Sequence, residues 1–329
     1  MDPERGTIHM RLQWRLIYLG MFLLGARLPV QAQVPPEAVA QLKSVISARV
    51  ETGTVLGGDQ SAASGIYTFR GGSVAELGVS KIGGGGEVMA LMPLGEEFRW
   101  APILLGNIGN MNAENRFESG YLEGNGMNFD TYGIQGGAGA RVYFTDHFSS
   151  AFTLSGIYGH TKNNFVSRNA VGDAVAAAAD GTLVNWEVET WTVAPSPSLR
   201  YEWFWGKTLF TVESRYTFYH TESFNSTSPL VAVDGNSHAW DNRLDLDIPL
   251  GIRLLGTELR TGGFVGHTEL YGGLAEGLRS DHINTANVRL VADLLGKIWV
   301  VKWVGLGATY YWGSEFNGWS AGVDMRLQF

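Results

Sequence analysis

The last eleven residues of the chain, from Trp319 to Phe329, alternate strictly between apolar and polar side chains. A period of two predicts a β-strand with one apolar and one polar face. In a soluble sandwich the apolar face would pack on a core. In a transmembrane barrel it would face lipid, and the polar face would line a wet lumen. The remaining segments decide between these two all-β folds.

The same alternation recurs in about twelve segments from Ala63 onward, and the pattern predicts no further helix there. The predicted strands are Ala63–Arg70, Val74–Met92, Phe98–Met111, Phe129–Phe144, Phe148–His160, Leu183–Trp203, Lys207–Glu222, His238–Arg253, Thr257–Tyr271, Ile283–Leu295, Val301–Gly313 and Asn317–Phe329. An even number of strands suits a single-chain bacterial barrel. The sequence therefore predicts a transmembrane antiparallel β-barrel over residues 63–329.

Connections between the predicted strands alternate in length. The short turns are Leu94–Glu97, Thr145–His147, Phe204–Gly206, Leu254–Gly256 and Gly296–Ile298. The long polar loops are Asn112–Asn128, Thr161–Thr182, Ser223–Ser237 and Gly272–His282. Short periplasmic turns and longer extracellular loops are typical of barrels in the bacterial outer membrane.

Aromatic residues gather at both ends of the predicted strands, as in the girdles at the two membrane interfaces. The predicted periplasmic girdle is Trp100, Phe144, Phe148, Trp203, Trp205, Trp303 and Phe329, and the outer girdle is Tyr158, Trp186, Tyr219, Trp240, Tyr271, Tyr310, Trp312 and Trp319. Trp186 and Val188 are out of phase with Trp191 and Val193, which predicts a β-bulge near Glu189.

Composition excludes several classes of protein. The formal charge of -8 gives no indication of a nucleic-acid partner. The absence of cysteine removes disulfides and cysteine-ligated metals, and the sequence predicts no cofactor and no metal site. Beyond the N-terminus no apolar run approaches the length of about 20 residues that a membrane helix needs, so a helical membrane protein is excluded.

The first 62 residues divide into two parts. Residues 1–32 resemble a secretory signal peptide with cleavage after Ala32, and Met10 is the better candidate for the true start. Over residues 33–62 the sequence predicts an amphipathic helix, Glu37–Glu51, and a glycine-containing connector, Thr52–Ala62. The mature chain is thus expected to begin with one short helix and no passenger domain.

Charged residues fall mainly on one face of the predicted strands, although the strand from Thr257 is less regular because Glu258, Arg260 and Phe264 share a face. The charged face carries Arg141, Arg200, Glu213, Arg215, Asp241, Arg243, Asp245, Asp247, Arg289, Asp293, Asp324 and Arg326. A barrel must turn this face inward, because Arg or Lys on the lipid face costs roughly 2 to 4 kcal/mol at the midplane. Mixed signs favour paired charges that hold the lumen together, and a pore with an ion preference is the alternative.

Five histidines fall near the outer rim of the predicted barrel: His160, His220, His238, His267 and His282. Acid and histidine groups at such a rim could activate water or a serine hydroxyl, so an outer-membrane protease or lipid-modifying enzyme is one alternative function. Histidine is also an ordinary residue at a polar interface. We therefore predict no catalytic residue.

The chain resembles the translocator domain of autotransporters and, more narrowly, the solitary autotransporter-like barrels that lack a passenger. The features that carry this resemblance are the signal peptide, the helix, the connector, the strands and the ending Asp324–Phe329. The resemblance implies a bacterial outer-membrane location, a helix within the lumen and a barrel associated with export of a passenger. The residues themselves give no reason to expect an enzyme. The resemblance also implies that outer-membrane lipid and the barrel-assembly machinery are the partners, with Phe329 as the assembly signal. Oligomeric state is left open.

A lumen of this size can hold a helix. Twelve strands about 4.8 Å apart and tilted near 40° give a diameter of roughly 24 Å, which leaves a space on the order of 10 Å inside the side chains. We therefore predict a narrow or helix-plugged pore, with Lys43 and Arg49 of the helix paired with Asp241, Asp245 or Glu213. A helix lying in the periplasm and a small-solute channel are the alternatives.

Overall fold

A computed structural model describes residues 46–56, 65–71, 74–87, 91–95, 97–116, 124–182, 184–254, 256–298, 301–314 and 317–327. The predicted signal peptide with Met10, the first part of the predicted helix and Phe329 lie outside these residues. In the described part of the chain, no helix is both long and apolar enough to cross a membrane.

The described chain consists of a helix, a large sheet and two further short helices. Residues 46–56 form helix α1. The strands are β1 (Gly65–Gly71), β2 (Val74–Glu87), β3 (Met92–Leu94), β4 (Phe98–Arg116), β5 (Gly126–Tyr143), β6 (Phe148–Val166), β7 (Glu187–Trp205), β8 (Thr208–Ser226), β9 (Asp234–Leu254), β10 (Thr257–Gly272), β11 (His282–Ile298), β12 (Val301–Gly313) and β13 (Asn317–Leu327). The other helices are α2 (Ala170–Ala179) and α3 (Gly273–Leu278).

The sheet closes on itself. Strands from β4 to β13 pair antiparallel in chain order, β13 pairs with β1, β1 with β2, and β2 with β4. The short β3 pairs with β4 just beyond the end of β2, so β2 and β3 share one place in the ring. The predicted antiparallel barrel of about twelve strands is confirmed, and closure removes the free sheet edges that an open sheet would leave unpaired.

Two ends of the barrel differ in their connections. The short-turn end carries the connections at 95–97, 144–147, 206–207, 255–256 and 299–300. The long-loop end carries those at 117–125, 167–186, 227–233 and 273–281. The predicted alternation is therefore present, and the long-loop end is the one that faces outward in a membrane barrel.

The outer surface of the barrel exposes large apolar side chains. They include Leu104, Ile108, Ile134, Phe152, Leu154, Val193, Leu199, Val265, Val288, Leu290, Leu306 and Val323. A soluble protein rarely exposes so much contiguous apolar surface, whereas lipid covers such a band in a membrane barrel. Aromatic residues flank the band, with Trp205 78% exposed at the short-turn end and Trp319 61% exposed toward the long-loop end.

Two members of the predicted outer girdle lie elsewhere. Trp186 and Tyr219 are only 1% and 2% exposed, and both are part of buried clusters inside the ring. Trp186 lies two residues before Val188 on the inward face of this part of the chain, and the alternation continues unbroken because Val188, Thr190 and Thr192 are all buried. The register does shift between Glu189 and Thr190, but the extra residue of this bulge is Phe224 in β8, not a residue of the strand predicted to carry it.

The predicted strand ends and loops need correction at the long-loop end. Strands β4 and β6 continue to Arg116 and Val166, and β9 begins at Asp234, so the wall extends further than predicted. Beyond the lipid the outward residues can be polar, so these extensions have the composition of loops. The prediction of no further helix is also wrong. Helix α2 is alanine-rich and is capped by Asn169, whose side chain accepts a hydrogen bond from the Gly172 amide.

Candidate functional site: the lumen and its helix

Helix α1 lies inside the ring, in contact with side chains from strands on several sides of the wall. The wall residues in its clusters are Trp186, Val188, Val231 and Val233 around Val50; Ile157, Ala194, Tyr219 and Leu274 around Val55; and Val79, Met111, Ile283 and Tyr311 around Leu56. The described part of the helix therefore occupies the lumen. The alternative of a helix lying in the periplasm does not fit these contacts.

The helix also extends beyond its predicted end. Residues 52–56 are helical, although the sequence predicts a connector from Thr52. Gly53 and the β-branched Thr52, Thr54 and Val55 are weak helix formers. Their burial against the wall supplies the stabilisation that intrinsic propensity lacks.

The direction of α1 in the lumen follows from its two ends. Ile46 packs near Val184 and Leu230, which belong to the long connections. Leu56, at the other end, packs near Val79 and Met111, which are within β2 and β4. The described helix therefore runs from the long-loop end toward the interior of the barrel.

Glycines in the wall allow α1 to approach closely. A Cβ atom at Gly277 would lie 2.1 Å from Thr52 Oγ1 and 2.6 Å from the Ala48 carbonyl oxygen. A Cβ atom at Gly159 would lie 2.5 Å from Thr54 Oγ1. A side chain at either position would collide with the helix, so these glycines form its seat.

Polar contacts fix the helix in this seat. The hydroxyl oxygens of Thr54 and Thr190 are 2.9 Å apart, and the Thr52 hydroxyl donates to the Gly273 carbonyl at 3.2 Å. The Ser237 hydroxyl donates to Glu51 Oε2 at 2.6 Å. Each contact joins the helix to a different part of the wall, and together they set its rotation and depth.

Glu51 is the buried acid of the lumen, and sequence reasoning did not single it out. Burial raises the pKa of its carboxyl group, while hydrogen bonds from Ser237 and Ser47 offset part of that rise and the nearby charges of Glu276 and Asp234 add to it. In the sequence Glu51 is only the acidic end of a predicted helix. Its role as an anchor depends on contacts with residues more than 180 positions away.

Charged side chains line the part of the lumen toward the short-turn end, and they form ion pairs with one another. The pairs are Arg141–Glu87 at 2.9 Å, Arg141–Glu213 at 3.9 Å, Arg215–Asp241 at 3.6 Å, Arg243–Asp245 and Arg289–Asp245 at 2.7 Å, Arg260–Asp247 at 2.8 Å, and Arg200–Glu202. Glu87, Glu202 and Arg260 were not among the predicted inward charges. Asp293, Asp324 and Arg326 lie on β11 and β13, and their side chains are outside the described part of the structure.

These pairs replace the predicted contacts between helix and wall. Asp245 accepts from two arginines, and Asp241 lies beside Arg215, so neither acid pairs with α1. Lys43 lies outside the described residues. The Arg243 guanidinium carbon also lies 3.5 Å from the centre of the Phe264 ring, which explains why an aromatic residue shares the inward face of β10 with charged residues.

The five rim histidines have separate partners. His220 and His267 hydrogen-bond to Asn236 and Asn284, His238 to Tyr216, and His282 to Asp281, while His160 lies 3.9 Å from two glutamates. His267 and His282 stack with ring centroids 5.7 Å apart. These contacts spread the histidines over several strands instead of gathering them around one reacting position.

Solved structures share this architecture. The β domain of the Bordetella autotransporter BrkA is similar at 15% identity with a TM-score of 0.50, over 80% of this chain and 98% of that one. The transport unit of the autotransporter AIDA-I from Escherichia coli is similar at 8% identity with a TM-score of 0.52, over 86% of this chain and 98% of that one. Likeness at such low identity shows the fold alone.

The sequence comparisons give the family. No curated protein matches the chain. The family model of the solitary outer membrane autotransporter β-barrel domain matches residues 94–321, which is more than half of the chain. The protein therefore belongs to the solitary outer membrane autotransporter β-barrel family, as the resemblance in its sequence indicated.

Proposed function

We propose that this outer-membrane barrel is closed by its own helix α1, so that it is a self-plugged pore at rest. The observation that carries the proposal is the set of contacts that Val50, Val55 and Leu56 make with wall residues on several sides of the lumen. A helix is about 10 Å wide with its side chains, which is comparable to the free width of a twelve-stranded barrel.

The direction of α1 supports a second part of the proposal. Residue 46, the first described residue of α1, lies at the long-loop end of the helix. We propose that the barrel holds the segment that precedes this residue at its outer mouth. Two structures of similar fold are named as parts of autotransporters, and display of an N-terminal segment is consistent with that class.

The alternatives from sequence receive less support. A small-solute channel needs a free lumen, and α1 occupies part of it. A rim enzyme needs an acid, a base and a nucleophile at one position, and the rim histidines bond instead to separate neighbours. We therefore assign the protein no catalytic role.

Replacing a seat glycine tests the proposal without removing any residue. We expect Gly277→Val to displace α1, because the new side chain would collide with Thr52 Oγ1 and the Ala48 carbonyl. In planar bilayers the variant should open more often and to a larger conductance than the parent barrel. Gly106→Val is the matched control, because a Cβ atom at Gly106 has no neighbour within 4 Å.

Both variants should keep the shift in electrophoretic mobility on heating that marks a folded barrel. If folded Gly277→Val conducts like Gly106→Val, then α1 does not close the pore.

A further inference from the structure

Two arginines at the long-loop mouth of the lumen, one in each of two neighbouring helical segments, have no ion-pair partner among the described residues. Arg49 is in α1, and Arg279 directly follows α3. These two helices touch, because Gly277 of α3 lies against Ala48 and Thr52 of α1. Both arginine side chains are only partly accessible to solvent.

The electrostatics of Arg49 show that the two charges affect each other. Burial lowers the pKa of Arg49 to about 10, and the positive charge of Arg279 contributes to the lowering. Two guanidinium groups remain charged at neutral pH, so an anion bound between them would offset their repulsion.

Among the residues that the structure describes, Arg49 and Arg279 form no side-chain hydrogen bond and no ion pair. The arginines deeper in the lumen differ in this respect, since Arg141, Arg243 and Arg289 each have an acidic partner.

The acids on the two helices do not neutralise the pair. Glu51 of α1 is held by Ser237 and by Ser47 on the same helix. Glu276 precedes Arg279 by three residues, but no ion pair joins them in the described structure. Arg279 also adopts a left-handed backbone conformation with φ of 54°, at a helix C-cap where glycine or asparagine is the usual residue.

We propose that Arg49 and Arg279 form a binding site for a phosphate group at the outer mouth of the barrel. Guanidinium groups bind phosphate through parallel N–H···O hydrogen bonds, and a phosphate dianion would balance both positive charges. Because one arginine belongs to α1 and the other follows α3, the bound group would also tie the helix to the wall. The site does not depend on whether α1 closes the pore.

Calorimetric titration of the refolded full chain with inorganic phosphate tests this site. The protein should be in detergent micelles without phosphate headgroups, at neutral pH and constant ionic strength. We expect one saturable site per chain, and Arg279→Gln should weaken binding about tenfold or more, as loss of a charged hydrogen bond does. Arg49→Gln should have the same effect, and Arg279→Lys, which keeps the charge, a smaller one.

Arg168→Gln is the control, because Arg168 is an exposed arginine on another long connection. It should bind phosphate like the parent. The proposal is overturned if no saturable binding occurs, or if Arg279→Gln binds as tightly as Arg168→Gln. If either Arg49→Gln or Arg279→Gln fails to fold, the comparison of the other variant with Arg168→Gln is sufficient to decide.

A second titration identifies the source of the phosphate. The barrel is reconstituted in vesicles that contain a phosphorylated lipid and in vesicles whose lipids lack phosphate. If the phosphorylated lipid competes with inorganic phosphate, the group comes from a lipid headgroup that reaches over the rim. Equal affinity for inorganic phosphate in both kinds of vesicle assigns the site to a free anion. Either result supports the proposed phosphate site.

Discussion

Deleting residues 34–60 is expected to turn a closed barrel into an open pore. The deletion removes α1, which lies in the part of the lumen toward the long-loop end, and leaves every strand of the ring intact. With the helix gone, a channel on the order of 10 Å wide remains between the inward side chains. Single-channel recordings in planar bilayers should show steady conductance for the deletion variant and a closed level for the parent.

A deletion outside the lumen is the control for this experiment. Removing α2, which lies in a long connection between β6 and β7, should leave the parent's closed level unchanged. Equal conductance of the parent and the variant without residues 34–60 would mean that α1 is not an obstruction. The small-solute channel would then be the better account of the protein.

Replacing Asp245 with alanine should give the largest loss of stability among single changes in the wall. Its two carboxylate oxygens accept from Arg243 and Arg289, both at 2.7 Å, and Asp245 is mostly buried. Its removal leaves two arginines facing each other. Loss of one partner from a buried ion pair costs about 3 to 5 kcal/mol, and the wet lumen should reduce this to about 2 kcal/mol. Urea unfolding of the refolded barrel measures the change.

Asp146→Ala is the matched control for Asp245→Ala. Asp146 also pairs with an arginine, Arg99, but at the short-turn end with both side chains exposed to solvent. The expected loss there is below about 0.5 kcal/mol, as for other exposed pairs. If the two variants unfold at the same urea concentration, the lumenal pairs do not stabilise the barrel.

Most of the barrel could be predicted from sequence because lipid imposes a simple rule on it. Each outward residue within the lipid must be apolar, so alternation in the chain reports directly on strands and faces. The same rule explains the errors. Beyond the lipid the rule no longer applies, and the extensions of β4, β6 and β9 were read as loops.

The interior was harder to predict, since its residues are selected by contacts between distant parts of the chain. Trp186 and Tyr219 have the composition of girdle residues, and only the structure shows that they line the lumen near α1. The inward acids could be recognised, but not their partners. Asp245 has two arginines within reach on the wall, and nothing in a strand pattern indicates that these are preferred over a helix cation.

Formation of a disulfide between α1 and the wall is the most direct test of the helix position. The chain contains no cysteine, so the two changes Thr54→Cys and Thr190→Cys introduce the only thiols. The hydroxyl oxygens that they replace are 2.9 Å apart, so two sulfur atoms at these positions need only a small shift to reach the disulfide length of about 2.05 Å. Thr54→Cys with Thr217→Cys is the control pair, because Thr217 lies on β8 further toward the short-turn end.

We expect mild oxidation of the folded barrel to join residues 54 and 190, and mass spectrometry of unreduced peptides to show the bond. The control pair should keep free thiols. Free thiols at residues 54 and 190 in a folded and oxidised barrel would place α1 outside the lumen and contradict the account of a self-plugged pore.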